Sequence, residues 1–235
     1  MLLLFFQYIL NMAAVQRVVL EGNIGAGKTS LGRLMETLEP GLIKFYPEPV
    51  EEWRLEGGAH ILDAFYQKIP GAGFLAQTLI GQTLLSRDTA PPPPPLVLGL
   101  YERSLLSAPK CFIPALLQTE QLNRTEAEIL NRGFAFNGLH WPHLVSPARI
   151  VYVRCDPIVC WDRIQARSDV EQGRISLDYL LRLHRLHESW LLGGGGGNVI
   201  VADTTLSDMT CLAQALIAQL NAAPLSPPQI FPTED

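Results

Sequence analysis

The run Gly22, Asn23, Ile24, Gly25, Ala26, Gly27, Lys28, Thr29 constrains this chain more than any other stretch. Glycines at 22 and 27, with lysine and threonine at the end, fit the phosphate-binding pattern G-x-x-x-x-G-K-[ST] without a gap. Glycine has no Cβ, so successive backbone N–H groups can turn inward around a phosphate. A helix that starts at Lys28 points the positive end of its dipole at the same anion. Lys28 is expected to reach the β- and γ-phosphates and Thr29 to hold Mg2+ through its hydroxyl, with Ser30 completing the run. Glycine-rich stretches also make plain turns. Here, however, Val18, Val19 and Leu20 precede the loop, and Leu31, Leu34, Met35 and Leu38 follow it at helical spacing. That is the strand-to-helix setting the motif requires, and the expected ligand is a nucleoside triphosphate, ATP.

The 235 residues are 48% hydrophobic and 17% charged, which suits one α/β domain with a large core and no dividing linker. A formal net charge of -5 provides no basic face, so neither nucleic acid nor an anionic membrane is an expected partner. Cys111, Cys155, Cys160 and Cys211 show neither C-x-x-C nor metal-ligand spacing, so free thiols in a reducing, cytoplasmic setting are expected. Residues 1–10 are apolar but lack the positive flank of a signal peptide and are too short to span a membrane. No arginine precedes Arg17, which weakens a mitochondrial transit reading, and Met12 offers a second start. The expected organisation is a loosely ordered leader over residues 1–16, one domain over 17–221 and a tail over 222–235.

Apolar runs at residues 18–20, 42–46, 96–101, 149–153 and 198–202 read as five strands. Helical patterning appears at 61–67, 74–87, 125–137 and 177–192, with Asp156 and Pro157 opening one further helix and Ser207 capping a last one to Leu220. Strands alternating with helices predict a parallel sheet covered on both faces, whose ligands bind at the strands' carboxyl ends. Prolines 91–95 read as a rigid connector rather than a partner-binding segment, and glycines 193–197 as a flexible loop. His140 and His143 flank Trp141 and Pro142 in an expected loop. Without a carboxylate or cysteine at ligand spacing they read as packing residues rather than a metal pair.

Glu48 follows the second strand and is fixed by Pro47 and Pro49. Its carboxylate either caps a turn or, facing Lys28, serves as general base for an acceptor hydroxyl. Glu102 and Arg103 end the third strand, where a carboxylate suits Mg2+ and an arginine neutralises charge on a transferred phosphoryl group. Arg163 and Arg167 lie four apart on one helix face, ahead of Asp169, Glu171, Gln172 and Gly173, and suit a flap that closes over ATP. A solvated charged helix end is the alternative.

These stretches, together with Val50-Glu51-Glu52-Trp53, Ser104, Asp178-Tyr179-Leu180 and His187-Glu188-Ser189-Trp190-Leu191, resemble the deoxynucleoside kinases. That family includes deoxycytidine, deoxyguanosine and mitochondrial thymidine kinases and the broad-specificity insect enzyme. The resemblance runs in order from about residue 17 to 205. It implies a P-loop kinase with a five-stranded parallel sheet flanked by helices, transfer of the ATP γ-phosphoryl group to a deoxynucleoside 5′-hydroxyl, and a homodimer. By the same resemblance Glu48 is the base, and Arg103 stands near the 5′-hydroxyl and the phosphates. Glu102 stands near Mg2+, and Arg163 and Arg167 are the lid arginines. Trp53 lines the nucleoside site, Tyr66 meets the 3′-hydroxyl, Gln77 pairs with the base edge and Phe112 stacks on the base. Glu171 or, by ungapped count, Gln172 holds the 3′-hydroxyl. Leu84 and Ala108 stand where deoxycytidine and deoxyguanosine kinases carry an arginine and an aspartate. Apolar walls there leave room for a thymine methyl, so thymidine is the expected substrate, with deoxycytidine second. Pro109 and Lys110 depart from the family's usual Arg-Tyr.

A nucleoside monophosphate kinase would need further basic groups for the acceptor's phosphate. A GTP-operated switch would need an Asn-Lys-x-Asp motif, which the sequence lacks.

Overall fold

Five largely apolar strands stack side by side, the central ones buried by helices on both faces. The computed structural model describes residues 16–90, 98–147, 149–167, 174–193 and 199–222. The strands are β1 (Gln16–Glu21), β2 (Ile43–Tyr46), β3 (Leu98–Glu102), β4 (Arg149–Arg154) and β5 (Val199–Asp203). They form one sheet in the order β2-β3-β1-β4-β5 with every neighbouring pair parallel. Val18, Val19 and Leu20 of β1 are completely buried, as a strand covered on both faces requires. From β1 the chain first builds outward through β2 and β3, then returns to the opposite side for β4 and β5. The reversal therefore falls beside β1, and its carboxyl end is where a crevice opens.

The phosphate loop leads straight from β1 into α1 (Lys28–Leu38). Gly32 lets that helix sit directly on Phe45 of β2, since a Cβ there would fall 2.2 Å from the phenyl ring. After a single 3-10 turn at Val50–Trp53 come α2 (Ile61–Tyr66) and α3 (Ala72–Thr89). A wide π-type turn, Ala108–Phe112, runs into α4 (Ile113–Gln118). Next are α5 (Arg124–His140), α6 (Pro142–Val145), α7 (Pro157–Gln165), α8 (Leu177–Leu192) and α9 (Met209–Ala222). Asn123 and Glu126 form a reciprocal capping box on α5, and Asp156 accepts the Ile158 N–H at the start of α7.

The expected strands and the longer helices are all present, with small differences. The segment around His140 to His143 is not a plain loop: α5 extends through His140 and Pro142 starts a short helix. The cap of α9 is Asp208, whose carboxylate accepts the Cys211 N–H at 2.8 Å, one residue past the expected Ser207. The expected leader before Gln16, the proline connector, the glycine loop past Gly193 and the tail past Ala222 lie outside the described residues. Among the described residues all four cysteines are free thiols, and no helix is long and apolar enough to cross a membrane.

Candidate active site

The phosphate loop adopts a backbone that side chains would not tolerate. Gly22, Gly25 and Gly27 have φ of 148°, 78° and 93°. A Cβ on Gly22 would lie 2.3 Å from the Val153 carbonyl oxygen, and one on Gly25 would lie 2.6 Å from that of Cys160. The Asn23 side chain ties the loop to α8 by donating to the Leu180 carbonyl at 2.9 Å. Lys28 is buried and folds back over the loop, donating to the carbonyls of Asn23 at 2.8 Å and Gly22 at 3.3 Å. Burial, helped by the nearby Arg103, pushes the Lys28 pKa down, against the pull of the Glu102, Glu48 and Glu21 carboxylates.

Thr29 Oγ1 lies 3.0 Å from both carboxylate oxygens of Glu102, and Lys28 Nζ is 4.0 Å from one of them. A hydroxyl and a carboxylate form a hard oxygen donor pair. Mg2+ in nucleotide sites is held by one or two such groups together with phosphate oxygens and water, so these two residues fit it. No larger cluster of acidic, histidine or cysteine ligands occurs among the described residues. Burial raises the Glu102 pKa, and Lys28 offsets part of that rise.

Glu48 and Arg103 meet across the crevice, with Nε to Oε1 at 2.8 Å and the two side chains 16% and 5% exposed. Arg103 reaches back to the Gly22 carbonyl at 3.2 Å and lies 4.7 Å above the Phe112 ring. One cation thus touches the carboxylate, the phosphate loop and an aromatic wall. Breaking such a buried pair from one side leaves a stranded charge, which costs about 3–5 kcal/mol.

A cavity of about 600 Å³ extends from Lys28 and Thr29 past Glu48 and Arg103 to an enclosed end. Trp53, Tyr66, Gln77, Leu84, Ala108 and Phe112 all line it, as does Arg167 at its edge. Gln77, Leu84 and Ala108 are all buried where they line it, Gln77 bringing a polar amide to an otherwise apolar stretch. Arg163 points elsewhere. It donates to the Thr204 carbonyl at 2.7 Å and lies 3.3 Å from Cys155 Sγ, so it braces the rear of the loop. Ser30 is exposed on the first turn of α1. Glu171, with Asp169, Gln172 and Gly173, lies outside the described residues.

Four residues that the sequence did not single out help build the site. Thr83 accepts the Trp53 indole N–H at 3.0 Å and sets that ring. Phe134 of α5 closes the far end against Gly81, where a Cβ would come within 2.9 Å of the ring. Glu21, fully buried, accepts the Ser104 N–H at 2.9 Å, the Ser104 hydroxyl at 2.6 Å and the Ser107 hydroxyl at 2.8 Å. Its position immediately before the phosphate loop was a usable signal. Burial raises its pKa, and those hydrogen bonds and Arg103 oppose the rise. Arg87, at the end of α3, donates to backbone carbonyls at the ends of both β2 and β3.

A parallel sheet with a phosphate loop at the end of its central strand, and a carboxylate and an arginine facing that loop, is the architecture of the P-loop kinase fold. The chain belongs to the deoxynucleoside kinase family, whose sequence profile matches residues 18–222. It is 32% identical over 177 residues to mitochondrial thymidine kinase 2 of Macaca fascicularis and 31% identical to that of Homo sapiens. Each match covers 75% of this chain and spans 64% of the relative's length. Deoxycytidine kinase of Homo sapiens is 27% identical over 198 residues, with 76% of each chain covered.

Proposed function

We propose that this protein transfers the γ-phosphoryl group of ATP to the 5′-hydroxyl of a deoxynucleoside, with thymidine preferred and deoxycytidine second. The Glu48–Arg103 pair at 2.8 Å, between the phosphate loop and the enclosed end of the cavity, carries this reading. A nucleoside with its base in that enclosed end presents its 5′-oxygen to Glu48. The carboxylate takes the 5′-hydroxyl proton as the new O–P bond forms, the bond from the γ-phosphorus to the bridging oxygen breaks, and ADP leaves. Arg103 and Lys28 balance the charge that develops on the transferred group. Thr29 and Glu102 are the residues that would hold Mg2+, which would neutralise phosphate charge when bound. Arg167, which lines the cavity, takes the edge position of a lid arginine, and Arg163 stands behind the loop on Thr204.

The thymidine preference rests on Leu84 and Ala108, both buried and apolar on the wall beside Gln77. A charged base-reading pair is absent there, and a methyl group loses nothing against such a wall. The identity to the thymidine kinase 2 proteins supports the same reading. Steady-state comparison of the four deoxynucleosides tests it: thymidine should give the highest kcat/KM, and a purine in first place would overturn the preference. Label from ATP that appears only in the diphosphate, when thymidine monophosphate is offered, would overturn nucleoside kinase activity itself.

Ile129, Phe136 and Leu139 form an exposed apolar stripe on α5, which supports a homodimer joined through that helix. Sedimentation should give twice the chain mass, falling to the chain mass on Phe136→Glu. A monomeric wild type would remove the dimer.

A further inference from the structure

Arg87 does not line the cavity, yet its guanidinium meets the two strand ends that carry the reactive groups. Its Nε donates to Asp88 at 2.7 Å, and the buried Asp88 also takes Arg17. Its Nη1 donates to the carbonyls of Glu102 at 2.8 Å and Pro47 at 3.0 Å, with a longer contact to Tyr46 at 3.4 Å. Its Nη2 donates to the Arg103 carbonyl at 3.1 Å. The Pro47 carbonyl belongs to the peptide plane that leads into Glu48. Those of Glu102 and Arg103 belong to the two planes on either side of the Arg103 Cα. The opposite edges of these two planes are tied as well, with the Arg103 N–H on Leu20 at 3.0 Å and the Ser104 N–H on Glu21 at 2.9 Å.

This clamp matters because the ladder between β2 and β3 ends at the pair Tyr46 and Tyr101, short of Glu48 and Arg103. Beyond it the two strand ends have the Arg87 fork between them. Arg103 also holds φ of 61°, an uncommon conformation for a residue with a side chain, here in a buried arginine whose flanking peptide planes are held on both edges. A planar guanidinium serves several acceptors in fixed directions at once, which an ammonium on a flexible stem does not.

We propose that Arg87 is a positioning residue for phosphoryl transfer: seated on Asp88, it sets the peptide planes from which Glu48 and Arg103 project. The proposal rests on the kinase reading above. Its test compares wild type, Arg87→Lys, Glu48→Gln and the double variant in steady-state assays with thymidine and ATP, alongside equilibrium binding of labelled ATP. Arg87→Lys should lower kcat about tenfold to a hundredfold, the scale of a small misplacement of reacting groups, and leave the ATP Kd within about twofold because Arg87 does not touch the phosphate loop. In the Glu48→Gln background the same change should cost a several-fold smaller factor, since the base it positions is already lost. Turnover within about twofold of wild type, an equal loss in both backgrounds, or a parallel loss of ATP binding would each overturn the assignment. Arg87→Gln, which keeps N–H donors without a buried charge, is read on the same scale should the lysine variant fail to fold. A wild type that phosphorylates no deoxynucleoside overturns the kinase reading, whereas an active wild type matched by Arg87→Lys overturns the role of Arg87 alone.

Discussion

Glu48→Gln is expected to lower turnover by about a hundredfold to ten-thousandfold, the range for loss of a positioned general base, while ATP binding stays within about twofold. Glutamine keeps the volume of the side chain and one carbonyl oxygen for Arg103 Nε, now 2.8 Å from the carboxylate. What it cannot do is accept the 5′-hydroxyl proton. The loop residues that meet ATP are held by contacts of their own, Asn23 to Leu180 and Lys28 to the loop carbonyls, and none of these passes through Glu48. Removing the charge does leave Arg103 with one fewer partner. The neighbouring Glu21 and Glu102 carboxylates still favour its cationic form, so the arginine stays charged and in place. Steady-state rates with labelled ATP, set beside direct ATP binding, separate the two effects. Near-normal turnover would remove Glu48 from the base role. Loss of ATP binding in proportion would mean that the substitution had disturbed the loop.

The fold was largely legible because its signals are local. Buried parallel strands must be apolar along their whole length, and such runs stand out between helices: residues 149–153 were expected and Arg149–Arg154 is the strand. Helix α8 was expected over residues 177–192 and occupies Leu177–Leu192, because Ser176 caps one end and a glycine follows the other. The wide turn at Ala108–Phe112 was missed. Pro109 offers no N–H and Lys110 breaks the apolar pattern, so nothing local announces a helical turn there. Of the site, the loop, Glu48, Glu102 and Arg103 were legible because each sits at the end of an apolar run. The supporting contacts were not. Arg163 donates to Thr204, which lies 41 residues further on, a contact that a count along its own helix does not reveal. Arg87 likewise donates to Pro47, 40 residues before it, and Thr83 to Trp53 is a separation of 30. Such hydrogen bonds leave no periodic trace in a sequence, since only the completed sheet brings the partners together.

Gly22→Ala should be strongly damaging to both stability and ATP binding. The new Cβ would meet the Val153 carbonyl oxygen at 2.3 Å, and that oxygen belongs to β4, the strand paired directly with β1. No side-chain rotation relieves a clash with backbone, so either β4 shifts or the loop opens. The φ of 148° adds strain of its own, and together the two terms cost about 2–5 kcal/mol. The loop is the softer of the two elements, because Val153 lies inside a buried ladder while Gly22 begins the turn. The displacement should therefore fall on the N–H groups that would surround the phosphates, and ATP affinity should drop about a hundredfold. Gly27→Ala provides the comparison. There the Cβ would meet the side-chain ends of Met209 at 3.4 Å and Arg163 at 3.8 Å, both ordinary contacts, so its cost is confined to the φ of 93°. Chemical unfolding and ATP binding, measured on both variants, should rank Gly22→Ala as clearly the worse in both. Equal stabilities would show that the contact with Val153 is relieved without cost, and ATP binding unchanged in Gly22→Ala would show that the nucleotide phosphates do not rest on this turn.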